Sequence, residues 1–333
     1  MSRYFSPQNG DDWEDMIARM RETGPSQLTA EEFDDLSTSD QDAYREQCAG
    51  WNRRLGPFRT PESDEVEKLL SRTIASNEAA LLGGRRIGVI NGPPTTGKSS
   101  ALVLAILRDT HRVWSKVGRK VDGAVVMPYV YIEIQPLMKP KSITQSICRF
   151  LQVPYLPRES TEELTGRLQQ LLPKMQTKAI CIDDAHQVRA GKESSYVTDW
   201  FKHAVTALPT SFIFTGADME SSALLSSRAS GGYVASDQIA RRAERVTFAR
   251  RPLTFDAKAP WTKDLRLVES TVRLPTGSSV GHMSSRAASE WLHNETGGYF
   301  GALVDLARDL AAAALTESLS LAAVIRLRSG KAA

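Results

Sequence analysis

Fifteen residues, Arg86 to Ser100 (RIGVINGPPTTGKSS), constrain the fold of this chain more than any other stretch. Ile87 to Ile90 reads as a short buried strand, Gly92 to Ser99 fits G-x-x-x-x-G-K-[ST], and an apolar helix from Lys98 to about Arg112 follows. That is the pattern of a P-loop. A loop whose successive N–H groups converge on a triphosphate must bring backbone close to anionic oxygens. Glycine at 92 and 97 permits this because it lacks a Cβ. Pro93, Pro94, Thr95 and Thr96 form the arch between the glycines, and Lys98 supplies a point charge to the β and γ phosphates. The Ser99 hydroxyl is placed for Mg²⁺, and the first helical turn, through Ser100, aims its positive end at the same anion.

Composition narrows what surrounds that loop. Hydrophobic residues at 41 % and charged residues at 24 % are those of a soluble globular chain, and 333 residues suffice for more than one domain. There is no apolar run of about 18 residues to span a membrane. MSRYFSPQNGDDWEDM has no apolar core of the signal-peptide kind. Cys48, Cys148 and Cys181 are unclustered, which argues against a disulfide framework and a zinc site and for a reducing, cytoplasmic setting. Charge is unevenly spread. Positions 1–50 hold twelve acidic and four basic residues, a balance of −8, which leaves +11 on the remainder of a chain whose total is +3. An acidic arm on a basic body points to a polyanionic partner, with solvated surfaces as the plainer reading.

The acidic arm, residues 1–60, mixes short helical patterns (Trp13 to Arg21, Glu31 to Leu36, Gln41 to Trp51) with turn residues, and reads as an extension that packs on the body or reaches a partner. Thr60-Pro61 opens a helix to about Asn77 that leads into the P-loop strand. Tyr129 to Ile134 reads as a strand, Lys139-Pro140-Lys141 as the start of a helix to Leu151, and Glu162 to Met175 as an amphipathic helix.

The second chemical landmark is KAICIDDAHQV, Lys178 to Val188. Ala179 to Ile182 is a continuous apolar run, as in a buried parallel strand, and it ends in Asp183-Asp184. In a P-loop fold this is a Walker B segment. Asp183 holds Mg²⁺, and Asp184 orients or deprotonates the attacking water. Asp at 184 sets its carboxylate back by about 1.5 Å relative to Glu, one C–C bond, and predicts slow hydrolysis. His186 and Cys181 read as a turn histidine and a core thiol. A further helix, Tyr196 to Leu208, leads to a buried strand, Ser211 to Phe214, whose polar tip offers Thr215, then Asp218, as a γ-phosphate sensor; an ordinary strand-ending turn is the competing reading.

Ser226 to Ser236 reads as a flexible loop by composition. Gln238 to Phe248 (QIARRAERVTF) places Arg241, Arg242 and Arg245 within about a helical turn, either as a solvated basic face or as arginines that reach a neighbour's γ-phosphate. From Trp261 onward only Ala-rich helical patterns remain: Ala287 to His293, Gly301 to Leu315 and Ser320 to Arg326. The organisation expected is an N-terminal extension (1–60), a nucleotide-binding core (61–255) and a helical lid with tail (256–333).

The order of these landmarks resembles the AAA+ ATPases. Within them DDAHQV, TGAD, QIARRAERV, VESTVRLPTGSSV and NETGGYFGALVDLARDLAAAAL resemble the TniB and TnsC family of transposition regulators, over roughly residues 55–320. The resemblance implies an α/β fold: a parallel five-stranded sheet with helices on both faces and a small C-terminal helical lid. It implies ATP and Mg²⁺ as cofactors, a ring or helical filament of identical subunits on duplex DNA, a transposase partner and a possible target-selection protein. Arg242, then Arg241, would be the finger reaching the next subunit. Arg119, Lys120, Lys139 and Lys141 would touch DNA phosphates without reading sequence. The family's usual second acid is Glu where Asp184 stands, and no arginine stands at Tyr299-Phe300, where many AAA+ lids carry one. The alternative is an AAA+ switch acting on a protein partner, secretion-linked or in phage defence, without DNA. A phosphotransferase acting on a small molecule would need an acceptor pocket for which the sequence offers no base.

Overall fold

The computed structural model describes residues 7–80, 84–188, 192–222, 224–225, 240–275 and 281–330. Three helices, α1 (Asp11–Met20), α2 (Ala30–Asp34) and α3 (Thr38–Asn52), precede α4 (Pro61–Ala79). Then come β1 (Ile87–Asn91), α5 (Lys98–Val117), a hairpin of β2 (Lys120–Val121) and β3 (Ala124–Val125), β4 (Tyr129–Glu133), α6 (Pro140–Phe150), α7 (Thr161–Lys174), β5 (Ala179–Asp183), α8 (Lys192–Ala207), β6 (Ser211–Gly216) and β7 (Ala243–Thr247). Four helices follow: α9 (Pro260–Thr271), α10 (Arg286–Thr296), α11 (Phe300–Glu317) and α12 (Leu321–Ser329).

Helix starts are specified locally. Thr60 caps α4 in a reciprocal box with Ser63, with Pro61 where its missing N–H leaves no bond unmade. Ser160 and Glu163 do the same for α7, and such caps contribute about 1 kcal/mol each. Strands β5 and β6 are buried at every position, which their unbroken apolar runs require.

The main sheet has the order β4-β5-β6-β1-β7, and every neighbouring pair is parallel. Because β1 is flanked by β6 and β7, the chain reverses direction of travel across the sheet at β1, and a crevice opens at its C-terminal end. Register decides what faces that crevice. Tyr131, Cys181 and Ile213 are aligned partners, as are Gly88 and Ile213, so they share one face. Gly88 lets Ile213 and Leu69 of α4 meet there: a Cβ would lie 2.6 Å from Ile213 Cδ1. On the opposite face Phe201 of α8 packs edge-on against Phe214, with ring centroids 5.3 Å apart.

Among the described residues two large apolar cores result, beside a small one of Phe33, Tyr44 and Cys48 within the arm. One joins the sheet, α4 to α8 and Trp13 and Ile17 of α1. The other lies among α9 to α12 and takes in Leu55. The acidic arm therefore braces both. Trp13 is fully buried against the sheet, whereas Trp51 Nε1 donates to Thr271 O at 2.8 Å and Asn52 exchanges two hydrogen bonds with the Arg273 backbone.

Three local readings differ from the structure. Helix α5 runs to Val117, well beyond Arg112, because Gly118 at φ +82° is the first residue able to end it in that geometry. The β2–β3 hairpin turns on Asp122-Gly123, both at positive φ, a turn chemistry the sequence displayed and the reading passed over. Strand β7 begins at Ala243, so Arg245 is a strand residue opposite Val89 and not part of a helical turn with Arg241 and Arg242. The stretch 226–236, read as a flexible loop, lies outside the described residues, as do Gln238 and 276–280. No single helix among the described residues is long and apolar enough to cross a membrane; α11 and α12 together reach that composition but are bent by 107°.

Candidate nucleotide-binding site

The loop from Gly92 to Gly97 takes the backbone path its glycines allow. Gly92 sits at φ +153°, Gly97 at φ +91° and Thr95, without the freedom of glycine, at φ +58°. A Cβ on Gly92 would lie 2.5 Å from Phe248 O, so the loop also needs glycine to pass the end of β7. Thr96 Oγ1 donates to Pro93 O at 2.9 Å and Lys98 Nζ to the same oxygen at 2.6 Å, which folds the arch over the helix start. Burial pushes the Lys98 ammonium below its usual range, against the pull of Asp183 and Asp184.

Asp183 is buried to 3 % exposure at the tip of β5. Its Oδ1 accepts the Asp184 N–H at 2.9 Å and its Oδ2 accepts the Tyr131 hydroxyl. Asp184 turns the chain at φ +51° and ψ +31°, which swings its carboxylate out of the strand; burial and then the neighbouring Asp183 push its carboxyl above the usual range. His186 Nδ1 lies 3.8 Å from Asp184 Oδ1 and accepts the Ala217 N–H at 3.4 Å, tying the acid to the loop after β6.

Thr215 is fully buried, aligned with Ile90, and lies one register step beyond the Ile182–Phe214 pair, beside Asp183. Its hydroxyl has no hydrogen-bond partner. A buried hydroxyl without a partner beside a P-loop is the arrangement expected of a group that meets a phosphate or its water. Asp218 instead accepts the Ser221 hydroxyl in a local turn.

Beside the loop lies a cavity of about 540 Å³ that is lined also by Asp12, Arg19 and Trp51 of the arm and by Tyr131, while Asp183 and Asp184 are not among its lining residues. Thr96, Gly97, Ser99 and Ser100 line its polar end; Leu55, Phe58 and Phe300 line an apolar end, where Phe58 and Phe300 meet edge-to-face at 5.8 Å. Lid helix α11 closes it: the Ala302 N–H donates to Thr95 O at 3.1 Å. Arg251 stands at the rim, held by Glu62 through two bonds of 2.5 and 2.7 Å and by Asp264 at 2.7 Å; the Glu62 bonds hold its guanidinium above the usual range. Since His293 Nε2 bonds Arg251 O and the Arg251 N–H donates to Gly298 O, Arg251 joins core to lid. Sequence reasoning passed over Leu55, Phe58, Phe300, Arg251 and Tyr131. Only the cluster of aromatic, Pro and Gly residues at 55–58 carried a signal.

These residues fit ATP and Mg²⁺: a glycine arch, a buried ammonium, a hydroxyl and a carboxylate as oxygen donors, and an apolar slot for a base. Among the described residues no cluster of three or more His, Cys, Asp or Glu forms a separate metal site.

The remaining sequence-derived candidates are dispersed. Arg242 precedes β7, and its guanidinium folds over Gly84, where a Cβ would lie 1.3 Å from Nη1; Arg241 beside it is exposed. Both are at the N-terminal end of the sheet, with the length of β1, about 13 Å at 3.3 Å per residue, between them and the P-loop. Arg119 and Lys120 follow α5 before β4, whereas Lys139 and Lys141 follow it, so the length of β4 lies between the two pairs. Arg119 stacks over Trp114 and is paired with Glu14 of the arm, Lys141 donates to Pro157 O at 2.7 Å, and Lys120 and Lys139 are exposed.

Fold and site define the class: a P-loop nucleotide-binding domain with the AAA+ fold. Residues 81–220 match the AAA domain family model. None of the curated proteins compared with the chain matches it. Among solved structures it is similar to the ORC2 protein of Aeropyrum pernix in its ADPNP–ADP complexes, at 14 % identity and TM-score 0.57 over 83 % of this chain and 68 % of that one. The ORC1 protein of the same organism, solved with DNA, gives 15 % and 0.54 over 82 % and 66 %. Cdc6p of Pyrobaculum aerophilum gives 17 % and 0.51 over 79 % and 64 %. At such identities the likeness is one of fold, and the chain spans about two thirds of those proteins.

Proposed function

We propose that this protein is an ATP-dependent regulator of transposition, which oligomerises on target duplex DNA, recruits or activates a transposase, and disassembles by hydrolysing ATP slowly to ADP and phosphate. The observation that carries the reading is the position of Arg241 and Arg242. With the length of β1 between them and their own P-loop, they serve a neighbouring copy, so the ATP site is completed only by assembly. Lys98 would hold the β and γ phosphates, Ser99 and Asp183 would hold Mg²⁺, Asp184 would take the proton of the attacking water, and Thr215 would meet the γ-phosphate. Mg²⁺ held there would neutralise charge on the phosphates. Duplex DNA and transposase come from the resemblance to the TniB and TnsC family, and the DNA-bound ORC1 protein shows that a similar fold can serve DNA.

A second reading, an AAA+ switch acting on a protein partner, draws on Arg119, whose charge is paired with Glu14, and on Lys141, whose ammonium donates to Pro157 O. Electron microscopy of the purified protein with a non-hydrolysable ATP analogue, with and without duplex DNA, separates the two. Rings or filaments that need both ligands support the transposition reading. Particles that form with nucleotide and ignore DNA reject it.

A further inference from the structure

The N-terminal arm reaches the catalytic end of the sheet through two aromatic residues. Tyr131, on edge strand β4, shares a sheet face with Asp183 and is 4 % exposed. Its hydroxyl donates to Asp183 Oδ2, while the Asp184 N–H holds Oδ1 from the other side. Each carboxylate oxygen therefore has one fixed donor, and rotation of the group about its Cβ–Cγ bond is arrested. A phenylalanine would fill the same apolar space; only the hydroxyl explains tyrosine, since a buried O–H needs a partner and Asp183 is the one it has.

The Tyr131 ring is in turn held by Trp13 of α1. Trp13 is fully buried, meets the Tyr131 ring edge-on at 6.4 Å and 84°, packs on Phe150 at 5.8 Å, and donates through Nε1 to Tyr129 O at 3.2 Å. That last bond occupies a carbonyl of the edge strand. Trp13 lies outside the stretch that matches the AAA domain family.

We infer that Tyr131 is a positioning residue for the magnesium-binding carboxylate of Asp183, and that the N-terminal arm, through Trp13, is a built part of that metal site. The inference rests on the ATP-binding reading above. Outer-shell partners of a metal-binding carboxylate tune affinity by about tenfold or more. Tyr131→Phe should raise the Mg²⁺ concentration for half-maximal binding of a fluorescent ATP analogue about tenfold, with affinity for the same analogue in EDTA unchanged. Trp13→Leu should shift the Mg²⁺ dependence in the same direction, and Trp13→Phe, which keeps a ring against Tyr131, should restore most of it although both variants lose the bond to Tyr129 O and melt at a lower temperature.

A Tyr131→Phe protein with wild-type Mg²⁺ dependence overturns the inference. A folded Trp13→Leu protein with wild-type Mg²⁺ dependence overturns the role of the arm. Wild-type protein that binds no analogue, with or without Mg²⁺, rejects the ATP-binding reading itself, an outcome distinct from the other two.

Discussion

The backbone N–H of Ala302 donates to the carbonyl oxygen of Thr95 at 3.1 Å, so the first turn of lid helix α11 rests directly on the P-loop. The residue between the two surfaces is Gly301, where a Cβ would lie 2.5 Å from Thr95 O and 3.3 Å from the Gly97 nitrogen. No arginine stands at Tyr299-Phe300, and the glycine that follows them lets backbone meet backbone.

Gly301→Ala should therefore push the lid off the loop. Overpacking of this kind costs about 1–3 kcal/mol, and nucleotide affinity should fall about tenfold by calorimetric titration. Gly166→Ala, in the interior of α7 with nothing within 4 Å of the added carbon, is the control. It should raise stability in urea unfolding by about 0.5–1 kcal/mol without touching affinity.

Lys98→Ala should abolish nucleotide binding, and Asp184→Asn should keep binding while lowering turnover by about 10²–10⁴. Melting curves must match the wild type in both. Asp184→Asn with undiminished phosphate release would exclude it as the base.

Arg242→Ala should leave ATP binding by isolated subunits unchanged and suppress hydrolysis in the assembled state. Mixing Arg242→Ala with Asp184→Asn subunits should recover part of the rate, because some junctions then pair an intact acid with an intact arginine. Failure of all mixtures to recover activity would remove the trans role.

Glu14 of the arm neutralises Arg119. Glu14→Gln should strengthen binding to duplex DNA at low salt, and Arg119→Ala should lower the salt slope of binding by about one phosphate contact. Equal DNA affinity in wild type and both variants would show that this corner does not meet DNA.

Acid stability should depend on Asp109. Burial pushes its carboxyl up, but bonds from Lys178, Arg112 and the Tyr129 hydroxyl outweigh that and hold it below its ordinary 3.8. A carboxyl depressed in the folded state stabilises the protein fully above its unfolded value, and that stabilisation is lost as the pH falls through the depressed one. Asp109→Asn should cost about 2 kcal/mol at pH 7 and flatten the loss of stability below about pH 4, read by chemical unfolding across pH 2–7.

Elements were legible where backbone chemistry is local. Gly92 and Gly97 can be placed from spacing alone because only glycine tolerates their path, and Asp183 because an apolar run of strand length must end where its first carboxylate stands. Arg245 was misplaced because the arginine spacing suits a helical turn as well as a strand; pairing with Val89 decides between them. Tyr129 and Tyr131 read only as strand residues, since alternation tells which face they share but not that one hydroxyl meets Asp109 and the other Asp183.

By itself, then, the sequence determined the P-loop, the acidic strand end, the parallel class of the sheet and the Ala-rich lid, all properties of residues within a few positions of one another. Only the tertiary structure decided the strand order, the Phe58–Phe300 end of the cavity, and the chain of contacts from Trp13 through Tyr131 to Asp183. Those depend on which surfaces bury one another across long stretches of chain, and hydrophobic burial, being non-directional, leaves that choice to the packing of the whole.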